Sequence, residues 1–105
     1  MTIVKFPPKQ PYDIQPYQLN FRPHMARGQR INGFGAAVYI AGQDPEEDGV
    51  IDATLLYSTA YGNYHAEAKV QGGADGVTYR IRFRVTTVDG SRYEAEGEYE
   101  VIEVK

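Results

Sequence analysis

Catalysis in this chain would have to come from two histidines, two serines and the clustered carboxylates. A serine nucleophile needs an exposed, sharply turned position with a histidine base in reach. Ser91 falls instead in a turn between two alternating segments, and no G-x-S-x-G, H-E-x-x-H or P-loop pattern occurs. His65 falls on the polar side of an alternating run, and His24 follows Pro23 in a loop, so both read as exposed polar residues. Gly33-Phe34-Gly35 has two glycines of a dinucleotide loop but neither the third nor the strand-then-helix setting.

The carboxylates fall into two groups. Asp44, Glu46, Glu47 and Asp48 crowd one turn, but their spacing is not that of a calcium loop with its distant glutamate, so a solvated turn is expected. Glu94, Glu96, Glu98 and Glu100 form a uniform stripe. Glycoside hydrolysis needs two carboxyl groups in a cleft with different environments, which a uniform stripe does not offer. No catalytic residue, metal ligand or cofactor site is expected, and the chain reads as a non-enzyme.

Binding is the better use of these residues. Nine tyrosines are too many for one small core, so some must lie at the surface. Tyrosine offers contact area and a hydroxyl at low entropic cost, which suits interfaces. Tyr57, Tyr61 and Tyr64 gather near one predicted loop and are candidates for a protein interface or a sugar-binding surface. Phe6, Pro7, Pro8, Pro11 and Tyr12 are candidates in a proline-rich arm. Proline donates no backbone hydrogen bond and disfavours helix in the residue before it. Residues 1–14 therefore read as an extended arm, laid along a sheet edge or docked as a strap on a neighbouring subunit, with a mobile tail as the plain alternative.

The elements that position these residues are strands. Val77, Tyr79, Ile81, Phe83 and Val85 alternate with Thr78, Arg80, Arg82, Arg84 and Thr86. Tyr93, Ala95, Gly97, Tyr99 and Val101 alternate with the glutamate stripe. Period-two alternation gives each segment one dry and one charged face. A two-residue Asp89-Gly90 loop would set Phe83 opposite Glu96. A three-residue Val88-Asp89-Gly90 loop sets Thr87 opposite Ser91, Arg84 opposite Glu94, Arg82 opposite Glu96 and Arg80 opposite Glu98. That register, with Phe83 facing Ala95 and Ile81 facing Gly97, is the expected one.

Upstream, Gln15 to Arg22 alternates Tyr17, Leu19 and Phe21 against polar residues and predicts a strand ended by Pro23. Ile31 to Ala41 predicts a second, with Phe34, Ala36, Val38 and Ile40 facing the core and Gly33 and Gly35 weakening it or marking a bulge. Val50 to Tyr57 predicts a third, Ser58 to Asn63 a loop, and Tyr64 to Val70 a fourth. At Ile102 and Val104 the apolar phase flips, which predicts a bulge or a change of strand partner. Six strands at short spacing imply an all-β domain over 15–105, a sandwich with a barrel as the alternative.

Totals narrow the class. At 105 residues there is room for one core and no deep cleft, and with no cysteine there is no disulfide or thiol chemistry. A net charge of −3 gives no basic field for nucleic acid. No window is apolar enough for a membrane helix, and the N-terminal stretch lacks a signal-peptide run, so a cytoplasmic location, or release by another route, is expected.

Lys9-x-Pro11, then Tyr17-x-Leu19-Asn20-Phe21, Gly28 and Ile31, resembles a family of small tailed-bacteriophage and prophage structural proteins. The likeness is stronger over Gly72-Gly73-Ala74-Asp75-Gly76-Val77-Thr78-Tyr79 and Val85-Thr86-Thr87-Val88-Asp89-Gly90-Ser91-Arg92. Asn20 and Phe21 stand where that family has Asp and Trp, and the acidic turn at 44–48 is an addition. The resemblance implies an immunoglobulin-like antiparallel β-sandwich of six to seven strands in a fibre–tail adaptor or head–tail structural protein. It implies other phage structural proteins as partners, a homo-oligomer in the particle, and assembly in the host cytoplasm into the virion. It brings no catalytic residue. A carbohydrate-binding module is the alternative function.

Overall fold

The computed structural model describes residues 3–42, 53–61 and 63–103, without the side chains of 53–61. The acidic turn at 44–48 lies outside the described residues.

The predicted hairpin holds residue for residue. Numbering the strands in chain order, β6 (Thr78–Thr87) pairs antiparallel with β7 (Arg92–Glu100). Arg84 faces Glu94, Arg82 faces Glu96, Arg80 faces Glu98, Phe83 faces Ala95 and Ile81 faces Gly97. Gly90 takes φ of 90°, a left-handed conformation that favours glycine, and Thr87 N–H donates to Ser91 O at 2.9 Å to close the loop.

On the charged face the side chains do not all follow the backbone register. Arg84 Nε meets Glu94 at 2.7 Å and Arg80 Nε meets Glu98 at 3.1 Å, each directly opposite. Arg82 Nε reaches diagonally to Glu94 at 3.7 Å. Glu96 accepts the Tyr39 hydroxyl at 2.5 Å, with Arg80 at 4.0 Å. Burial, and then this bond to a carboxylate, push the Tyr39 hydroxyl up to about 12. Such exposed ion pairs each contribute only about 0.2–1 kcal/mol. Their larger effect is on register, since a one-residue slip would bury charges.

The other strands are β1 (Val4–Lys5), β2 (Gln15–Asn20), β3 (Ile31–Ile40), β4 (Ala53–Tyr61) and β5 (His65–Gly72). They form a four-stranded sheet, β1-β7-β6-β3, and a three-stranded sheet, β2-β5-β4. The fold is an all-β sandwich of two sheets. A short 3₁₀ turn, Arg22–His24, follows β2 and contains Pro23. The β3 bulge lies between Ile31 and Gly33.

The core is layered by size. Ala66, Ala68 and Val70 of β5 are buried, and so are Tyr79, Ile81 and Phe83 of β6 and Tyr99 of β7. Small side chains in one sheet leave room for aromatic rings from the other. Tyr79 and Tyr99 stack at 5.6 Å, and Tyr17 lies 4.9 Å from Tyr99. Each fully buried side chain of this size contributes about 1.5–3 kcal/mol.

Two expectations need comment. Ser58 to Tyr61 is not a loop, because β4 runs through it, with Ser58 opposite Ala68 and Ala60 opposite Ala66. Its small residues read as a turn in the sequence, but the ladder to β5 satisfies their backbone groups. At the other end, past Glu100, the chain keeps its neighbours. Val101 N–H donates to Val77 O at 3.0 Å on the β6 side. On the other side Val101 bridges Lys9 of the same N-terminal arm that carries β1, with Ile102 N–H donating to Lys9 O at 2.9 Å.

Candidate partner-docking site

The N-terminal arm runs along the sandwich of its own chain. β1 pairs in parallel with β7, Val4 beside Gly97 and Lys5 beside Glu98. Phe6 N–H donates to Glu98 O at 2.8 Å, and the Lys5 ammonium pairs with the Glu98 carboxylate. Lys5, and then Arg80, hold the Glu98 carboxyl below its ordinary value.

Phe6 turns its ring into the core edge. It stacks on Tyr17 at 4.7 Å and meets Phe83 edge-on at 6.4 Å. The ring lies over Gly97, where an added β-carbon would be 2.0 Å from it. The Tyr17 hydroxyl then donates to Pro7 O at 2.8 Å; burial pushes this hydroxyl up to about 12.

Lys9 is the anchor of the arm. It is 2% exposed, and its ammonium donates to Gly72 O at 2.6 Å and Gln10 O at 2.7 Å. Its backbone N–H donates to Glu100 O at 3.0 Å. Burial lowers its pKa, and the nearby Asp13 carboxylate opposes that shift. A lysine is almost never buried unless its charge is met, and here carbonyl oxygens meet it.

Beyond Lys9 the chain makes a closed turn. Asp13 N–H donates to Gln10 O at 3.0 Å, and Gln10 N–H donates back to Asp13 Oδ2 at 3.0 Å. Pro11 occupies the first central position, which its fixed φ suits. The turn presents Tyr12, which is 95% exposed, and Ile14 follows at 50%. An open cleft of about 740 Å³ lies between Pro11–Gln15 and Gln71–Gly72. A fixed backbone carrying a bare aromatic ring can bind another surface with little loss of freedom.

The candidates named from the sequence thus separate. Pro11 and Tyr12 share the turn, Pro7 and Pro8 are exposed on the segment before it, and Phe6 is half-buried beneath. Tyr64 lies elsewhere, half-buried, with the Arg22 guanidinium 5.1 Å above its ring. Tyr57 and Tyr61 lie on β4, and their side chains are outside the described residues.

Three residues outside that set matter to the architecture. Lys9 and Gly97 hold the arm. Gln29, 8% exposed, ties the loop before β3 to the hairpin tip. Its amide donates to Asp89 and Ser91 at 3.0 Å each and accepts from Ala26 N–H at 2.8 Å and the Tyr93 hydroxyl at 2.6 Å. The sequence signal for Gly97 was its place opposite Ile81. Nothing in the sequence marked Gln29.

Among the described residues, no three His, Cys, Asp or Glu side chains gather as metal ligands. No helix among them is long and apolar enough to cross a membrane.

The family model for podophage GP4 fiber-tail adaptor protein gp77 matches residues 9–97, from the Lys9 anchor to the Gly97 slot. The chain belongs to this adaptor family. None of the curated proteins compared with it matches. In this adaptor-family chain the matched span takes in the Tyr12 turn, strands β2 to β6, the β6–β7 loop and most of β7, while β1 lies ahead of it.

Proposed function

We propose that the chain is a structural link in a phage virion, joining tail and fibre proteins through protein–protein contacts and catalysing no reaction. The family assignment over residues 9–97 carries this reading. The exposed Tyr12 on its fixed turn supports a docking role for the arm. In this reading the arm through residue 14 makes the contacts, and the sandwich of 15–105 holds it in place. Assembly takes place in the host cytoplasm, and the finished protein resides in the virion.

We also read the sandwich as immunoglobulin-like. Lettering β2 to β7 as B to G turns the sheet orders into B-E-D and G-F-C, with β1 added beside G. Immunoglobulin domains divide their strands between sheets in this way.

The test is co-purification of the full chain with tail and fibre proteins of its phage. Tyr12→Ala should weaken capture by tenfold or more, the range of an interface hot spot at about 1.4 kcal/mol or above. Unchanged capture would remove the turn from the interface. Saturable glycan binding lost on Tyr61→Ala, with no capture of phage proteins, would favour a carbohydrate-binding module instead.

A further inference from the structure

We propose that Ile3–Phe6 is an exchangeable strand, and that the slot it fills on β7 also accepts the same segment from a second copy of this chain. Three observations lead there.

The slot is built for this sequence. Gly97 leaves the space for the Phe6 ring, since an added β-carbon there would stand 2.0 Å from it. One residue earlier, the Lys5 ammonium meets the Glu98 carboxylate. The Phe6 ring over Gly97 is therefore the specific part of the fit, and the exposed Lys5–Glu98 pair adds little, so substitutions at 5 and 98 leave the ring its slot.

The occupant is lightly held. β1 pairs through only two residues, and Val4 and Lys5 are both exposed. Phe6 remains half-buried and not enclosed.

The hinge and the anchor are separate. Lys9 is fixed by its ammonium and by backbone bonds to Glu100 and Ile102. Pro7 and Pro8 lie between Lys9 and Phe6 and have no N–H to lose. The segment ahead of Pro7 can leave while Lys9 stays, at the cost of the Tyr17–Pro7 bond, the β1 pairing, the Phe6 N–H bond to Glu98 O and the Phe6 ring contacts.

Exchange restores in the partner what it breaks at home, so the contact energy nearly cancels. The balance is then set by effective concentration, which is high where copies are held side by side. Three residues span at most about 10 Å, so the copies must present their β7 edges close to one another.

The chain has no cysteine, which gives a clean test. Lys5 and Glu98 are Cα partners, so one bears Lys5→Cys and a second preparation bears Glu98→Cys. The double variant Lys5→Cys/Glu98→Cys should close an internal disulfide and verifies the geometry. The two single variants are then mixed at high concentration and oxidised. Exchange predicts a heterodimer linked through positions 5 and 98, at least tenfold over either homodimer by mass spectrometry. Adding Gly97→Ala to the Glu98→Cys chain should abolish it. Internal closure with no heterodimer would overturn the proposal, and so would a heterodimer indifferent to Gly97→Ala.

Discussion

The ring of Phe6 occupies the space that a side chain at position 97 would need: a β-carbon added to Gly97 would lie 2.0 Å from one ring carbon and 2.7 and 2.8 Å from two others. These two residues sit on opposite sides of the junction between arm and sandwich. Gly97→Ala should expel the ring and cost about 1–2 kcal/mol, the value of a half-buried phenylalanine. Chemical denaturation measures the loss, and trypsin cleavage after Lys5 should quicken. In a Phe6→Ala background the same change should cost almost nothing. Equal costs in both backgrounds would refute the coupling.

The Tyr99 hydroxyl is a second point of leverage. It is buried and has no hydrogen-bond partner among the described residues, whereas the neighbouring Tyr79 hydroxyl accepts Ala74 N–H at 2.8 Å. Burial raises the Tyr99 pKa far above its ordinary value, with the neighbouring tyrosines adding to the shift. Tyr99→Phe should be neutral or stabilising by up to about 1 kcal/mol, while Tyr79→Phe should cost about 1 kcal/mol or more. Tyr79→Phe should lower the urea midpoint, and Tyr99→Phe should leave it unchanged or raise it.

Removing the Lys9 ammonium should be expensive for its size. Lys9→Met keeps the aliphatic stem but takes the ammonium away from Gly72 O and from Gln10 O, the latter keeping Asp13 N–H as a donor. The expected loss is about 1–3 kcal/mol, a fall of several degrees or more in Tm. A melting curve indistinguishable from that of the parent would show that water replaces the ammonium without cost.

The hairpin loop carries an acid-sensitive contact. Gln29 first, then the Thr87 hydroxyl and Ser91 N–H, hold the Asp89 carboxyl down to about 2. Its folded pKa lies below the unfolded value of about 3.9, so the folded state gains fully above that value. The gain fades as pH falls from about 4 toward 2. A carboxylate NMR titration should give Asp89 a midpoint near 2, moving upward in Gln29→Ala. A midpoint near 4 in the parent would contradict the contact.

The hairpin was legible because each residue gave the same answer: alternation fixed the faces, Gly90 fixed the loop, and one register kept Arg opposite Glu. Arg82 reaches diagonally to Glu94 although its backbone faces Glu96, and Glu96 also takes the hydroxyl of Tyr39 from a different strand, a contact that no alternation within the hairpin forecasts. The path of the arm was only partly legible. Proline content suggests an extended segment and an edge, but a parallel partner more than ninety residues away leaves no local pattern. Lys9 was hidden by its own chemistry, since nothing adjacent in sequence forecasts that Gly72 O would meet its charge. Ser58–Tyr61 reads as a loop because Ser58, Ala60 and the following Gly62 are poor strand formers, although Thr59 and Tyr61 favour a strand, and the pairing with β5 decides the matter.

The parallel run of the arm beside β7, with Lys9 bridged to Val101, has a mechanical side. Tension drawing the segment before Val4 away from the segment after Val101 would slide the two strands along each other. The bonds from Phe6 N–H, Lys9 N–H and Ile102 N–H would then be loaded together instead of one after another. Pulled at right angles to that line, the same strands would unzip singly. How long the junction survives a given load thus depends on direction, a kinetic property that equilibrium stability does not report.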